Sequence, residues 1–267
     1  MSEAEDAYLS PPVQRATRLL RRIAEGDAVT NMSRTARELD ISRTTLLRLL
    51  RTLEAERFIE SRGEGGGWRI GTALIGLAAR AFGEDLAEAA QPVLTRLAEA
   101  LGLSAHLGVL DGREVVYLVR RTPNHSFASN IRVGSRLPAH AANMGRIILA
   151  HLPEAEVRRL YAEVPMPPTT AHTATTLEGL LARLAGDRAT GLAWSEGHYE
   201  PGIGSVAAVV RDAAGHPVAA INVSGQVAGF GDAENRARIG AAVSGAAAEI
   251  SARLGWTGAP ARRLEVA

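Results

Sequence analysis

Residues 40–71 read DISRTTLLRLLRTLEAERFIESRGEGGGWRIG. At about 100° per residue, Leu46, Leu49, Leu50 and Leu53 fall on one side of a helix running from about Arg43 to Ala55. Thr44, Thr45, Arg48, Arg51 and Thr52 fall on the other. Ser42 is placed to cap this helix, its hydroxyl accepting from a free first-turn N–H. No acidic residue lies between Ser42 and Leu53, so the outer face lacks the mixed-sign pairs that usually decorate a solvated helix. FIES and GWRI follow as two short strands around RGEGG. Upstream, Ser33 is placed as the cap of a short helix, SRTARELD, which ends in a tight turn at Ile41 and Ser42. Before it, PPVQRATRLLRRIAE sets Val13, Ala16, Leu19, Leu20 and Ile23 at spacings of three and four, an amphipathic helix begun near a proline and ended by Gly26 and Asp27. A short helix, a tight turn, a longer helix and a hairpin make a winged helix-turn-helix. In that arrangement the longer helix is the one that enters a major groove. Arg48 and Arg51 would then reach bases or phosphates, with Ser42, Arg43, Thr44 and Thr45 at its entering end. Arg62 and Arg69 would let the hairpin touch backbone. An ordinary three-helix unit with a solvated basic face is the competing reading.

Composition sets the limits around this unit. The chain has 267 residues, enough for two domains, with 46% hydrophobic and 22% charged residues, as in a globular protein. No apolar run approaches the roughly 18 residues that span a bilayer. The acidic, polar start MSEAEDAYLSPP is unlike a signal peptide, so a cytoplasmic location is expected. The absence of cysteine removes disulfides, thiolate nucleophiles and cysteine metal sites. Net charge is +1, so a nucleic-acid surface must be local; residues 33–71 hold eight Arg against six Asp plus Glu. All 30 basic residues are arginine. Compositional drift explains most of that, although arginine suits bidentate contacts to phosphate and guanine better than lysine.

The expected organisation is a DNA-binding domain over 1–71, a linker helix over 72–86, a second domain over 87–258 and a tail over 259–267. The linker TALIGLAARAFGEDL could pair with a second copy through Leu74, Leu77, Ala78 and Ala81, or pack within its own chain. The second domain reads as α+β, a mostly antiparallel sheet with helices against it. PVLTRLAEAL is a helix. SAHLGVL and REVVYLVRR flank Asp111-Gly112, a strong short hairpin signal. FASNIRV offers a further strand, and AANMGRIILAHL a helix. A Pro/Thr-rich loop leads to a helix begun by Thr176. After WSEGHYEPGIG come the strands SVAAVVRD and PVAAINVSG, and a long amphipathic helix runs from about Ala233 to Leu254.

No histidine pair or carboxylate cluster has metal-ligand spacing, so neither a metal nor a cofactor is expected. Ala193-Trp194-Ser195-Glu196-Gly197 approximates a nucleophile elbow but lacks its parallel strand–turn–helix setting, which leaves a serine hydrolase using Ser195 as the enzyme alternative. A small-molecule pocket fits better. GIGSVAAVV offers Ser205 beside glycines, and INVSG puts Asn222 and Ser224 on one strand face.

The blocks VQRATRLLRRIAE, ISRTTLLRLLRTLEAERFIE with WRIG, LGVLDGREVVYLVR, VGSRLPAHAANMGRIILAHL and SVAAVVRDAAGHPVAAINVSG together resemble the IclR family of bacterial transcriptional regulators over nearly the whole chain. The SRLPAH…MGRIILA block is most similar to the branch regulating aromatic-acid catabolism, the PcaR/PobR-like proteins. The resemblance implies an N-terminal winged helix-turn-helix, a linker helix and a C-terminal GAF-like effector-binding domain. It implies a homodimer or dimer of dimers on a palindromic operator in double-stranded DNA, controlled by a small organic acid. It also implies effector-binding residues at Asn143, Met144, Gly145, Ser195, Ser205, Asn222 and Ser224. Arg136, inside the branch-marking block, is a further candidate to meet a carboxylate, or else a surface arginine. Many relatives carry an acidic residue at the Ser195 position and a cysteine at the Ser205 position; a pocket without that acid should tolerate an anion better. A regulator that no longer answers to a ligand is the second alternative.

Overall fold

A computed structural model of the chain describes residues 9–63, 65–74, 77, 84–123, 131–197 and 199–258. It divides into two compact units, Met1–Gly83 and Glu84–Ala267. The expected linker helix lies mainly outside the described residues, as does the 259–267 tail.

The first unit runs α1 (Pro11–Ala24), α2 (Met32–Glu38), α3 (Arg43–Ala55), β1 (Ile59–Ser61) and β2 (Trp68–Ile70). Pro11 opens α1, at a position where a missing N–H costs nothing. The cap of α2 is Asn31, whose Oδ1 accepts from the Arg34 N–H at 3.0 Å; Ser33 does not have that role, because the helix starts one residue ahead of it, at Met32. Leu19, Ile23, Val29, Ala36, Leu46, Leu50, Leu53 and Ile59 form the core, so the leucine stripe of α3 is what glues it to α1 and α2. The hairpin pairs Ile59 with Ile70 and Ser61 with Trp68. Gly67 lies in its turn at φ +72°, where a Cβ would sit 2.0 Å from the Ala28 carbonyl oxygen. Only glycine lets the wing approach this loop.

The second unit contains α4 (Glu84–Leu101), β3 (Ser104–Asp111), β4 (Glu114–Arg121), β5 (Arg136–Pro138), α5 (Asn143–His151), α6 (Glu154–Tyr161), α7 (Leu177–Thr190), β6 (Ala193–Glu196), β7 (Ile203–Arg211), β8 (Pro217–Gln226) and α8 (Ala233–Arg253). Its sheet has the order β5-β4-β3-β8-β7-β6, with every pair antiparallel. The β3–β4 hairpin closes through Gly112 at φ +60°. Strand β6 and helix α6 are additions to the sequence reading, which left both segments as connections. The strand looked for in FASNIRV lies for the most part outside the described residues, and Ile131–Val133 are not in a strand.

The sheet buries both faces, each for a different purpose. Leu107, Val206, Ala208, Val210, Ala219, Ile221 and Val223 pack against Leu94 and Leu97 of α4 and Val243 and Ile250 of α8. The opposite face meets Met144, Ile147 and Ile148 of α5. A register shift at Leu107/Gly108 loops out Leu118, so Tyr117 and Val119, two residues apart, face opposite sides. Without that bulge Tyr117 would point away from α5.

Candidate functional site

The outer face of α3 carries Arg43, Thr44, Leu47, Arg48, Arg51 and Thr52, all exposed. Ser42 Oγ accepts from the Thr45 N–H at 3.0 Å and lies 2.9 Å from Thr45 Oγ1, so both side chains are engaged in capping. Thr52 Oγ1 donates to the Arg48 carbonyl at 2.9 Å. Arg51 is held by Glu54 at 3.1 Å, and Arg69 by Glu60 at 2.8 and 3.0 Å. Among the described residues Arg43, Arg48 and Arg62 have no ion-pair partner, so they form the net positive part of the surface. Leu47, which the sequence reading placed on neither face, is 49% exposed at the centre of this surface. The signal was present: Leu47 stands three residues after Thr44 and four before Arg51, off the buried stripe.

The second site lies between the sheet and the start of α5. Ser195 pairs with Ser205, Ser205 with Ser224, and Ser224 with Ser104, a row of four serines across β6, β7, β8 and β3. The adjacent row runs Ala193, Ala207, Asn222 and His106. Asn143, the first residue of α5, reaches down onto both rows. Its Nδ2 donates to the Ala193 carbonyl at 3.3 Å and to Ser205 Oγ at 3.0 Å. Asn222 Nδ2 donates to Asn143 Oδ1 at 3.2 Å, and Asn222 Oδ1 lies 2.9 Å from His106 Nδ1. A backbone carbonyl can only accept, so Ala193 fixes the orientation of Asn143, then of Asn222, and leaves His106 Nδ1 as the protonated nitrogen. The chain ends at Ser205 as an acceptor, so the Ser205 hydrogen is free to be donated elsewhere. His106 is fully buried, edge-on to Tyr117, and burial pushes it down to about 4, which keeps the ring neutral.

Above these rows is a cleft of about 430 Å³, its open mouth included. Asn143, Ser195, Ser205, Asn222 and Ser224 line it together with Ala142, Tyr117, Ile131, Leu137 and Ile203, while Tyr199 and Glu200 come from the loop after β6. The hydroxyls of Tyr117 and Ser224 face the cleft with no hydrogen-bond partner among the described residues, although both side chains are more than nine-tenths buried. Met144 and Gly145 do not present side chains to it. Met144 packs beside Gly108, and a Cβ on Gly145 would lie 2.4 Å from Ala139 Cα, so the glycine is what seats α5.

Two expectations are corrected. Arg136 is exposed and bonded to Asp111 and, at 2.7 Å, to Glu114. It lines a shallow depression outside the mouth and not the cleft, so its charge is already spent. The cleft is not free of acid either: Glu200 supplies one, five residues after Ser195. Ser195 sits inside antiparallel β6 and not at a strand-to-helix elbow, which removes the geometry of the hydrolase alternative. Behind it, Arg146 is buried with Asp187 at 2.9 Å and donates to the Trp194 carbonyl at 2.6 Å, tying α5 and α7 to β6. Among the described residues no group of side chains could hold a metal ion, and no helix is long and apolar enough to cross a membrane.

A winged helix with a cationic outer face, joined in one chain to a domain holding a small-molecule cleft, defines a ligand-governed DNA-binding regulator. Residues 12–63 match the IclR helix-turn-helix domain, and residues 80–252 match the C-terminal domain of bacterial IclR transcriptional regulators. The chain belongs to the IclR family. It is 32% identical over 249 residues to the HTH-type transcriptional regulator BhcR of Paracoccus denitrificans, covering 93% of this chain and 88% of the relative. It is similar to the crystal structure of an IclR transcriptional regulator from Alicyclobacillus acidocaldarius, at 28% identity and TM-score 0.78, over 93% of this chain and 100% of the other. The fold is also that of an IclR homologue from Microbacterium hydrocarbonoxydans crystallised with 4-hydroxybenzoate, at 24% identity and TM-score 0.79, over 91% and 98% of the two chains. The protein is a transcriptional regulator, not an enzyme, with a DNA-binding and an effector-binding domain.

Proposed function

We propose that this regulator acts in the cytoplasm as a homodimer or dimer of dimers on a palindromic operator, and that a small aromatic acid in the cleft modulates its hold on DNA. The hydroxyls of Tyr117 and Ser224 carry the reading of the cleft, since each opens onto it from an otherwise buried residue and has no protein partner among the described residues, which leaves it to bond a ligand. Ser205, Ser224 and Tyr117 offer donors to a carboxylate. So does the first turn of α5, where the N-cap is Ala142 and no side chain caps the N–H groups of Asn143, Met144 and Gly145. Leu137, Ile131, Ile203 and the two tyrosines suit a ring. On the DNA side Arg43, Thr44, Arg48 and Arg62 are free to make contacts; Arg51 and Arg69 must first loosen their carboxylates, and Ser42 and Thr45 serve mainly to hold the helix end.

The ligand shifts operator occupancy only as far as it prefers one of two states of the protein. Isothermal calorimetry of the full chain against aromatic and short-chain acids tests the cleft, and no binding across the panel would leave a regulator without a ligand response. A gel-shift titration at fixed salt tests the helix: Arg48→Ala should weaken operator binding by about 1–3 kcal/mol, and unchanged binding would refute its role.

A further inference from the structure

The polarity of the cleft has a direction, and it says what the far end of the ligand must be. At the floor, the chain of bonds from the Ala193 carbonyl through Asn143 occupies Ser205 Oγ as an acceptor and leaves its hydrogen to be donated outward. The Ser224 and Tyr117 hydroxyls beside it are unpartnered among the described residues. No arginine or histidine lines the cleft among the described residues, and its one ionisable acid is Glu200, at the mouth. Glu200 has no ion-pair partner among the described residues. The depression just outside adds no spare positive charge: Glu200 lies there with Arg136, and Arg136 is bonded to both Asp111 and Glu114. Floor and mouth therefore differ in kind, neutral hydroxyls able to donate within and an acceptor-only carboxylate without. An acid with a bare hydrocarbon tail would satisfy the floor and leave Glu200 facing carbon, with two like charges in one small space.

We propose that the effector is two-ended, an acid whose far end carries a hydroxyl or an ammonium group, and that Glu200 selects it. This rests on the cleft being an acid-binding site, and it adds a residue and a second functional group to that reading. A hydroxyl donates one hydrogen bond to the Glu200 carboxylate, and an ammonium adds opposite charge, so both convert the like-charge conflict into a contact.

The test uses calorimetry on the full chain with three acids of one shape: benzoate, 4-hydroxybenzoate and 4-(aminomethyl)benzoate. The wild-type protein should prefer both substituted acids to benzoate by tenfold or more. Glu200→Ala should bring that preference to within about threefold and bind benzoate more tightly than wild type, a gain that a damaged fold cannot give. Glu200→Gln, which keeps an acceptor but no charge, should retain a preference for the hydroxyl and lose the one for the ammonium. Equal affinity for all three in the wild-type protein, or a preference that survives Glu200→Ala, would overturn the selector role while leaving the acid site standing. Failure of all three to bind would overturn the acid-site reading beneath it, and this proposal with it.

Discussion

Leu47 offers the most direct test of how α3 meets DNA. An exposed leucine among arginines has no solvation reason to be there, and the apolar feature of a major-groove edge is the thymine C5-methyl. Leu47→Ala removes three carbon groups. Because the side chain is 49% exposed, about half of their surface is still available to bury on DNA. At about 0.8 kcal/mol per buried methylene, the loss is about 1 kcal/mol for each recognition helix, roughly fivefold in affinity. Removing the methyl itself, by placing deoxyuridine where the operator has thymine, should cost wild type up to about 0.8 kcal/mol at one position per half-site. The decisive measurement is the combination. Fluorescence anisotropy on operator duplexes with each thymine replaced in turn should show that sensitivity vanishing in Leu47→Ala. The salt dependence of binding should stay the same, since no phosphate contact is lost. If no thymine couples to residue 47, or if the variant changes the salt slope, the leucine does not read a methyl and the placement of this face is wrong.

Two further outcomes concern the second domain. Asp187→Ala strands the buried Arg146 guanidinium, whose Nη1 is already without a partner among the described residues; chemical denaturation should show a loss of about 3–5 kcal/mol. The paired Arg146→Met/Asp187→Leu variant should recover much of it, and a double variant no better than the single would refute the charge-stranding account. His106 titrates at about 4 in the folded chain against 6.5 unfolded, so as pH falls the unfolded state takes up its proton first. Stability should therefore be full above about pH 6.5 and drain between pH 6.5 and 4, by about 3 kcal/mol from this group. His140 and His151, also pushed down by burial, add slope of the same sign. His106→Gln should flatten the profile in part, and an identical slope would show that the ring is not the titrating group.

What the sequence disclosed followed from periodicity. Leucines of α3 at three- and four-residue spacing and the Asp111-Gly112 signal between two apolar runs each settle a local structure without reference to anything distant. The cleft is different, because it is made by register. Ser195, Ser205, Ser224 and Ser104 come into one row only when four strands from separated parts of the chain are aligned. Alternation puts Asn222 and Ser224 on one face but does not say what lies opposite. Tyr117 reaches the cleft through a bulge that no pattern announces, and Glu200 through a loop whose path depends on β6 being a strand at all. Arg136 failed for the same reason in reverse: its two carboxylate partners, Asp111 and Glu114, lie 25 and 22 residues before it in the chain and meet it only across the β4–β5 pairing.

The way β6 is held gives a ligand proposed for the cleft a route by which it would be felt beyond it. As the outermost strand it has β7 on one side only, and two side chains of α5 bond its backbone, Asn143 to the Ala193 carbonyl and Arg146 to that of Trp194. A ligand that accepts from Ser205 or from the first turn of α5 would lie directly against the Asn143 side chain that secures this strand. Any displacement of Asn143 is passed to β6, and through Asp187 and Arg146 to α7. Since packed interiors rearrange between discrete arrangements and do not deform smoothly, a ligand that displaced Asn143 would be expected to break the Asn143–Ala193 bond outright and not to stretch it.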